Sequence, residues 1–486
     1  MLVRNRRAVV IGGGPAGLTA AHRLVEQSIA TTVIEKNRIV GGIARTESYR
    51  GYHFDMGGHR FFTKSNEVNE FWHQVLSDDF IERDRLSSIF YKRRFFHYPL
   101  KPLNALLGLG PLESVRILLS YLRWNSFPYR EEETFEQWVT NRFGKRLFET
   151  FFKTYTEKVW GIPCTELKAE WAAQRIKGLS LSSAVLNMFR GSDKNIKTLI
   201  EKFDYPRQGS GMMWRAVTSQ IKQAGGEVRM ESDVIRIEHE GDRVTSVLVE
   251  RDGVESDVVG TDFISSMPLT EFVNKLDPPA PDEIIRAAGE LRYGDFLTVC
   301  LIVDHPHLFD DNWIYIHEAG VKVGRIQNYK NWSPDMVPDQ SQSSLGLEYF
   351  CNEGDDLWTM DDDDLVELGK REVAQLGLAK SADVVDGCVF RVEKSYPVYD
   401  SDYRSHLAIL REYVEGFENF QTIGRNGLHR YNNQDHAMLT GMLAVRNLLE
   451  DERNDLWTVN ADQEYHEEVR SPEQPAAKNE TVGSAS

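Results

Sequence analysis

Three glycines and an acid carry the first chemical signal in this chain of 486 residues. In Ala8-Val-Val-Ile-Gly-Gly-Gly-Pro-Ala-Gly17, apolar residues that suit a buried strand run straight into a glycine turn. Gly12 suits the tight turn, Gly14 lets the backbone approach a pyrophosphate, and Gly17 lets the next helix pack closely on the strand. The start of that helix offers free N–H groups and partial positive charge to phosphate. A second apolar run, Thr31-Thr-Val-Ile34, ends on Glu35, where a carboxylate accepts from ribose hydroxyls. A glycine turn alone is common in α/β proteins. Strand, turn, helix, strand and acid in this order predict a dinucleotide-binding βαβ unit.

The residues that follow narrow the dinucleotide. Lys36-Asn-Arg-Ile-Val-Gly-Gly-Ile-Ala-Arg45 adds a second glycine pair and a basic residue. Gly41 and Gly42 permit close backbone approach, and Arg45 adds charge near phosphate. This extra loop resembles that of the flavin-dependent amine-oxidase-like superfamily, where it covers the FAD pyrophosphate. FAD is the expected cofactor and NAD(P) the second choice, with NAD(P)H a candidate reductant.

The elements that must position these residues read as α/β. The expected architecture is a discontinuous Rossmann-type FAD-binding domain (1–80, 200–275 and 385–450), interrupted by a helical insertion lobe (81–199) and an antiparallel-sheet substrate lobe (276–384). Residues 460–486 are polar and aperiodic and are expected to be disordered. Phe135-Glu-Gln-Trp138 and Phe148 to Tyr155 have helical periodicity. Val228–His239 and Val244–Arg251 read as hairpin strands in a second layer, and Thr261–Met267 as a buried strand. Leu297–Val303, Trp313–His317, Val323–Gln327 and Leu345–Phe350 suggest the antiparallel sheet. Residues 361–376 read as an acidic-capped helix, Phe420–Gly424 as a strand, and Asp435–Leu449 as a helix. Leu103–Leu122 reads as a core helix, with a membrane-surface role as the lesser alternative.

The net charge of −17 opposes nonspecific binding to nucleic acid or to an anionic membrane. It leaves room for a local arginine cluster to hold a small anion. Cys164, Cys300, Cys351 and Cys388 are scattered, without metal or CxxC spacing, so buried thiols are expected and no metal is. The first apolar run is the Rossmann strand itself, so no signal peptide is expected. No run is long enough for a transmembrane helix. A cytoplasmic location follows as the expectation, and homo-oligomerisation stays open.

Six further segments, in order along the chain, resemble UDP-galactopyranose mutases. They are Asp55-Met-Gly-Gly-His59; Val159 to Thr165 with Trp171 to Arg175; Tyr205 to Gly211 with Trp214; Trp313-Ile-Tyr315 with Gly324-Arg325 and Asn331 to Pro334; Tyr396-Pro-Val398; and Gly424 to Tyr431 with Asn433 to His436. The resemblance implies that Gly57, Gly58 and His59 lie against the flavin ring. It further implies that Arg175 and Arg325 bind the substrate pyrophosphate. Tyr315, Tyr396 and Tyr431 would reach the diphosphate or line the sugar pocket, and Asn187 would contact the sugar. Gly424, Arg425 and Asp435 belong to the second cofactor segment, with the helix from Asp435 steadying the pyrimidine end of a reduced flavin. Tyr98 and Pro99 match residues that help hold uracil. Leu100 and Lys101 stand where the mutases tend to carry an aromatic and a glutamine, and Lys101 is suited to another anionic group.

The implied activity is pyranose/furanose interconversion of a nucleotide sugar through a reduced-flavin N5-glycosyl adduct, with His59, Arg175 and Arg325 as the catalytic group. A small anionic substrate is thus the expected partner. Taken singly, these residues also fit ordinary structural roles: an arginine on a solvated helix, a tyrosine in a core, a histidine in a turn. The alternative activity is an FAD-dependent oxidoreductase of the amine oxidase/protoporphyrinogen oxidase type. A non-catalytic flavin-binding partner is the third reading. Arg207 is left outside the site, as an arginine suited to pairing with an acid.

Overall fold

The computed structural model describes residues 6–98, 102–169, 201–400, 402–450 and 452–460. Five parallel strands form its first sheet, in the order Phe420–Thr422, Asp262–Ser265, Arg7–Ile11, Ala30–Ile34 and Glu227–Arg229. The strands come from widely separated parts of the chain, so this sheet is discontinuous in sequence. Its central strands are apolar because both faces are covered. The Pro15–Glu26 helix turns Leu18, Ala21, Leu24 and Val25 inward. The Gln434–Leu449 helix packs beside it so closely that a Cβ on Gly441 would lie 2.4 Å from Ala16 O.

The expected strand Val228–His239 divides in two. Glu227–Arg229 edges the parallel sheet, whereas Asp233–Glu240 pairs with Arg243–Arg251 in a separate four-stranded sheet. The chain turns between them at Glu231, whose φ is +53°, and Ser232 N donates to Glu35 O at 3.0 Å.

A seven-stranded sheet forms the second layer. Its order is Val384–Pro397, Tyr293–Val303, Ser343–Cys351, Arg325–Asn328, Trp313–Ile316, Ser87–Tyr91 and Arg94–His97. Its edge strands come from stretches read in sequence as cofactor-binding (Val384–Pro397) and as helical (Ser87–Tyr91, Arg94–His97). The period-two alternation of strands divides its side chains into two sets. Leu297, Val299, Leu301, Leu345 and Leu347 pack with Leu365, Val373 and Leu376, the last three from the Asp362–Leu376 helix. The opposite face carries Trp313, Cys300 and Phe296, which pack with Phe54, Tyr329 and Trp332. Cys300 and Cys388 are register partners across adjacent strands, and all four cysteines are free thiols.

The helical part has its own core, in which Phe135, Trp138, Phe148 and Trp160 pack against Ile89 and Phe96 from the sheet edge. Leu103–Leu122 is not one core helix. It breaks into Pro102–Leu109 and Pro111–Ser126 at Gly110, and in the second of these only Ile117 is buried. Apolar content signalled a helix here, but it did not say whether anything covers the outer face. Among the described residues, no helix is long and apolar enough to cross a membrane, and no cluster of His, Cys, Asp and Glu is arranged to hold a metal ion.

Candidate functional site

The first half of the site is built by the glycine turns. Gly12 has φ +103°, and a Cβ there would meet Ser266 Oγ at 2.2 Å. A Cβ on Gly17 would lie 2.0 Å from Gly12 O, so helix and turn close only around glycine. Gly41 N donates to Gly13 O at 2.8 Å, and the Gly42 backbone faces Gly14. The two glycine loops therefore interlock. Glu35 is buried behind them, accepting from Gly13 N at 2.6 Å and from Asn37 N at 2.8 Å. Arg45 donates to Glu47 Oε1 at 2.9 Å, Gly42 O at 3.1 Å and Arg391 O at 3.3 Å. It fastens the Gly42 turn to the long edge strand Val384–Pro397. Gly424 N donates to Thr440 Oγ1 at 2.9 Å, which seats the second cofactor segment beside the start of the first helix. Asp435 is buried on the first turn of the Gln434–Leu449 helix.

A buried acid secures the loop that joins the two halves. Asp55 accepts from Thr46, from Tyr205 and from Ser210 N, while its own carbonyl accepts from Tyr329 at 2.9 Å. Burial pushes its carboxyl above the usual range, and these hydrogen bonds pull it partly back. The Tyr205–Gly211 segment is thus the latch of the Gly57–Gly58–His59 loop. Arg207, set aside in sequence, lies 3.5 Å from Asp335.

His59 Nε2 lies 3.0 Å from Ile43 O and 2.9 Å from Met56 O. Both partners only accept, so Nε2 carries the proton and Nδ1 keeps a lone pair. Burial is the main cause that lowers its pKa to about 4, and the Arg425 and Arg325 charges add to it. The imidazole is neutral at neutral pH.

The second half of the site lies on the polar face of the large sheet. Tyr315, Arg325 and Glu348 are register partners across three adjacent strands. Arg325 donates through Nε and Nη2 to Glu348, which is fully buried, and Nη2 also donates to the Tyr396 hydroxyl at 3.1 Å. Burial alone would lower the Arg325 pKa, but the Glu348 carboxylate outweighs it and holds the value well above normal. Gln327 Nε2 donates to the other Glu348 oxygen at 2.7 Å. Gln327 Oε1 is buried without a partner, 3.7 Å from where a Cβ on Gly58 would sit.

Arg425 donates to Asn432 O at 2.9 Å and Ser395 O at 2.9 Å. Carbonyls satisfy its N–H groups without cancelling its charge. The guanidinium lies 4.7 Å from the Tyr431 ring and 5.6 Å from the Tyr396 ring, two rings stacked with centroids 6.0 Å apart. Tyr98 lies 4.6 Å from Tyr315, which borders the helical lobe.

The fold thus brings His59, Arg325, Tyr396, Arg425 and Tyr431 into one connected group, with Tyr315 and Tyr98 next along the sheet. Arg175, Lys101 and Asn187 lie outside the described residues. Sequence reading missed Asp55 as an anchor, and it missed Glu348 and Gln327. The available signal for Glu348 was an acid at the centre of an otherwise apolar strand. An uncapped helix start at Gly14, interlocked glycine turns, a buried acid and an orphaned amide oxygen fit a dinucleotide bearing a planar hydrogen-bonding ring.

Comparison with known proteins agrees with this geometry. A 1-hydroxycarotenoid 3,4-desaturase of Flavobacterium sp. (strain P99-3) is 24% identical over 282 residues, which is 52% of this chain and 56% of the relative. A protein of Klebsiella pneumoniae described as a probable UDP-galactopyranose mutase is 28% identical over 180 residues, covering 34% of this chain and 44% of the relative. The chain thus matches only about half the length of these curated relatives. Among solved structures, reduced UDP-galactopyranose mutase superposes with a TM-score of 0.81 at 22% identity, over 94% of this chain and 98% of that one. Putrescine oxidase bound to putrescine superposes with a TM-score of 0.61 at 16% identity, over 92% of this chain and 99% of that one. At these identities the structural likeness establishes the fold. The family model described as flavin containing amine oxidoreductase matches residues 15–449. This chain therefore belongs to the flavin-containing amine oxidoreductase family.

Proposed function

We propose that this flavin-dependent enzyme is a nucleotide-sugar mutase that binds FAD and interconverts pyranose and furanose forms of a sugar carried on a nucleoside diphosphate. The observation that carries the reading is the continuity of Arg325, Tyr396, Tyr431, Arg425 and His59 on one polar face beside the glycine turns. Reduced FAD would supply an electron-rich ring to the anomeric carbon, with no net redox change. Gly12, Gly14, Gly17, Gly42 and Glu35 would hold the dinucleotide, and Gly57, Gly58, Gly424 and Asp435 would border its ring.

The chain's own residues do the rest. Arg325 Nη1 makes no hydrogen bond with a described residue, so it and the Tyr396 hydroxyl are available to phosphate oxygens. Charge developing on a departing diphosphate would be met by fixed donors in a buried site, where such donors are most effective. Arg175 is the expected second grip, and Lys101 and Asn187 the expected contacts to the remaining substrate. Arg425 keeps an unpaired positive charge that favours an anionic ring. Neutral His59 presents the Nδ1 lone pair as an acceptor at neutral pH. Tyr315 and Tyr431 would flank the sugar, and Tyr98 the base.

One observation favours the second reading, an oxidoreductase acting on an apolar or aminated substrate. Glu348 neutralises Arg325, and a neutral pair tolerates such a substrate. Substitution separates the two. Arg325→Ala and Arg175→Ala should each retain flavin and weaken nucleotide-sugar binding by about 2 kcal/mol, roughly 30-fold, in calorimetric titration. Unchanged affinity in both variants would remove the mutase reading.

A further inference from the structure

Among the described residues, half of the exposed large apolar side chains lie in one stretch of sixteen positions: Leu112, Val115, Leu118, Leu119, Leu122 and Phe127. Leu112, Leu119, Leu122 and Phe127 are each more than half exposed. Leu112, Val115, Leu118, Leu119 and Leu122 occupy one arc of the Pro111–Ser126 helix, opposite the buried Ile117, and Phe127 follows at its end. Seams of this size on a protein surface mark an interaction site.

The charges around this arc run against those of the whole chain. The exposed positions of the helix include Arg116 and Arg123 and no acid. Arg123 lies 4.8 Å over the Phe127 ring, so its cation sits beside the apolar crest. Lys92, Arg93 and Arg94 occupy an exposed turn, and Arg94 ties that turn to the end of the preceding Pro102–Leu109 helix by donating to Gly108 O at 2.6 Å. On the other flank, an open cleft of about 370 Å³ is lined by Arg116, Ser120, Trp124, Lys145, Arg146 and Glu149. Glu113 pairs with Arg116 and Arg146, Glu149 lies 4.0 Å from Arg146, and Glu136 lies 3.9 Å from Lys145. The patch carries a cationic excess on a protein whose net charge is −17.

We infer that this face docks onto an anionic lipid surface. The apolar crest would enter the headgroup and acyl boundary, while the arginines and lysines of both flanks meet lipid phosphates, as interfacial amphipathic helices do. Charge argues against a second copy of the chain as the occupant. Two such helices set antiparallel would bring the Arg116 and Arg123 flank against itself.

Vesicle co-sedimentation of the flavin-loaded full chain tests this, with vesicles of phosphatidylcholine alone or mixed with phosphatidylglycerol. Partitioning onto the anionic vesicles is expected, weakening at high salt and falling about tenfold in Leu119→Glu/Leu122→Glu. The substitutions are at exposed positions, and unchanged flavin absorbance confirms folding. Failure to partition, or partitioning that the double variant leaves intact, overturns the inference. So does a dimer by sedimentation velocity that the double variant dissociates while vesicles recruit nothing, which would assign the face to a second copy.

Discussion

On the face of the large sheet turned to the Asp362–Leu376 helix, Leu297, Val299, Leu345 and Leu347 are buried among other apolar side chains. Their neighbours in sequence, Thr298, Gly346 and Glu348, point the other way, beside Arg325, Gln327 and Tyr315. Thr298, Gly346, Gln327 and Glu348 are as buried as these leucines, whereas Arg325 and Tyr315 are half-buried. The difference is in how each side is stabilised. The apolar face gains from removing hydrocarbon from water, and the acid buried against it, Glu372, is met by the Tyr349 hydroxyl and by Lys322 N and Val323 N. The polar face holds the buried Glu348 carboxylate because Arg325 and Gln327 both donate to it. One set of strands thus provides both a rigid support and a charged wall for a ligand.

The largest test removes one member of the polar set. Glu348→Ala should cost about 3–5 kcal/mol in denaturant unfolding, because it leaves the Arg325 charge without its partner. Adding Arg325→Ala to it should restore part of the loss, since the unpaired charge goes too. On the apolar face, Leu347→Ala should cost about 3 kcal/mol through the cavity it opens. It should leave ligand affinity unchanged, and an altered affinity would show that the faces are not independent.

Acid reaches buried groups that substitution does not. Burial lowers His59 and His429 to about 4 and His317 to about 3, from an ordinary value of 6.5. Each is neutral in the fold and takes a proton more readily when unfolded. Their contribution is therefore complete above pH 6.5 and is lost as pH falls toward the folded values. Each of the three should take on the order of 3 kcal/mol from the unfolding free energy across that window. His59→Gln should flatten part of the slope. The smallest effect expected is that of Arg325→Lys, which keeps the charge but loses the planar fork. It should weaken diphosphate binding about tenfold, near 1.4 kcal/mol, with stability little changed.

What could be read from sequence followed how local the constraint is. Gly12, Gly17, Glu35 and Gly42 were readable because a phosphate turn is set by residues close together in the chain. The inward strands of the large sheet were readable from apolar runs, but strand parity alone does not say which face meets the cofactor. Glu348 was therefore missed, although its neighbours Leu347 and Tyr349 were in view. Val228–His239 read as one strand because the turn at Glu231 has no glycine or proline to announce it. Leu103–Leu122 read as core because apolar content reports a buried preference and not an available partner. Its outer face stays open in the fold, and the cationic rim around it contradicts what the overall charge suggested.

The central claim is that the polar face grips a nucleoside diphosphate beside the flavin. The most direct measurement is titration of the chemically reduced, flavin-loaded protein with UDP, GDP, dTDP and their sugars, followed by analysis of the sugar ring form. The account predicts that one diphosphate binds and that its sugar is converted while the flavin remains reduced. Absence of binding by every diphosphate, with flavin reduction by an amine or apolar substrate instead, would contradict it.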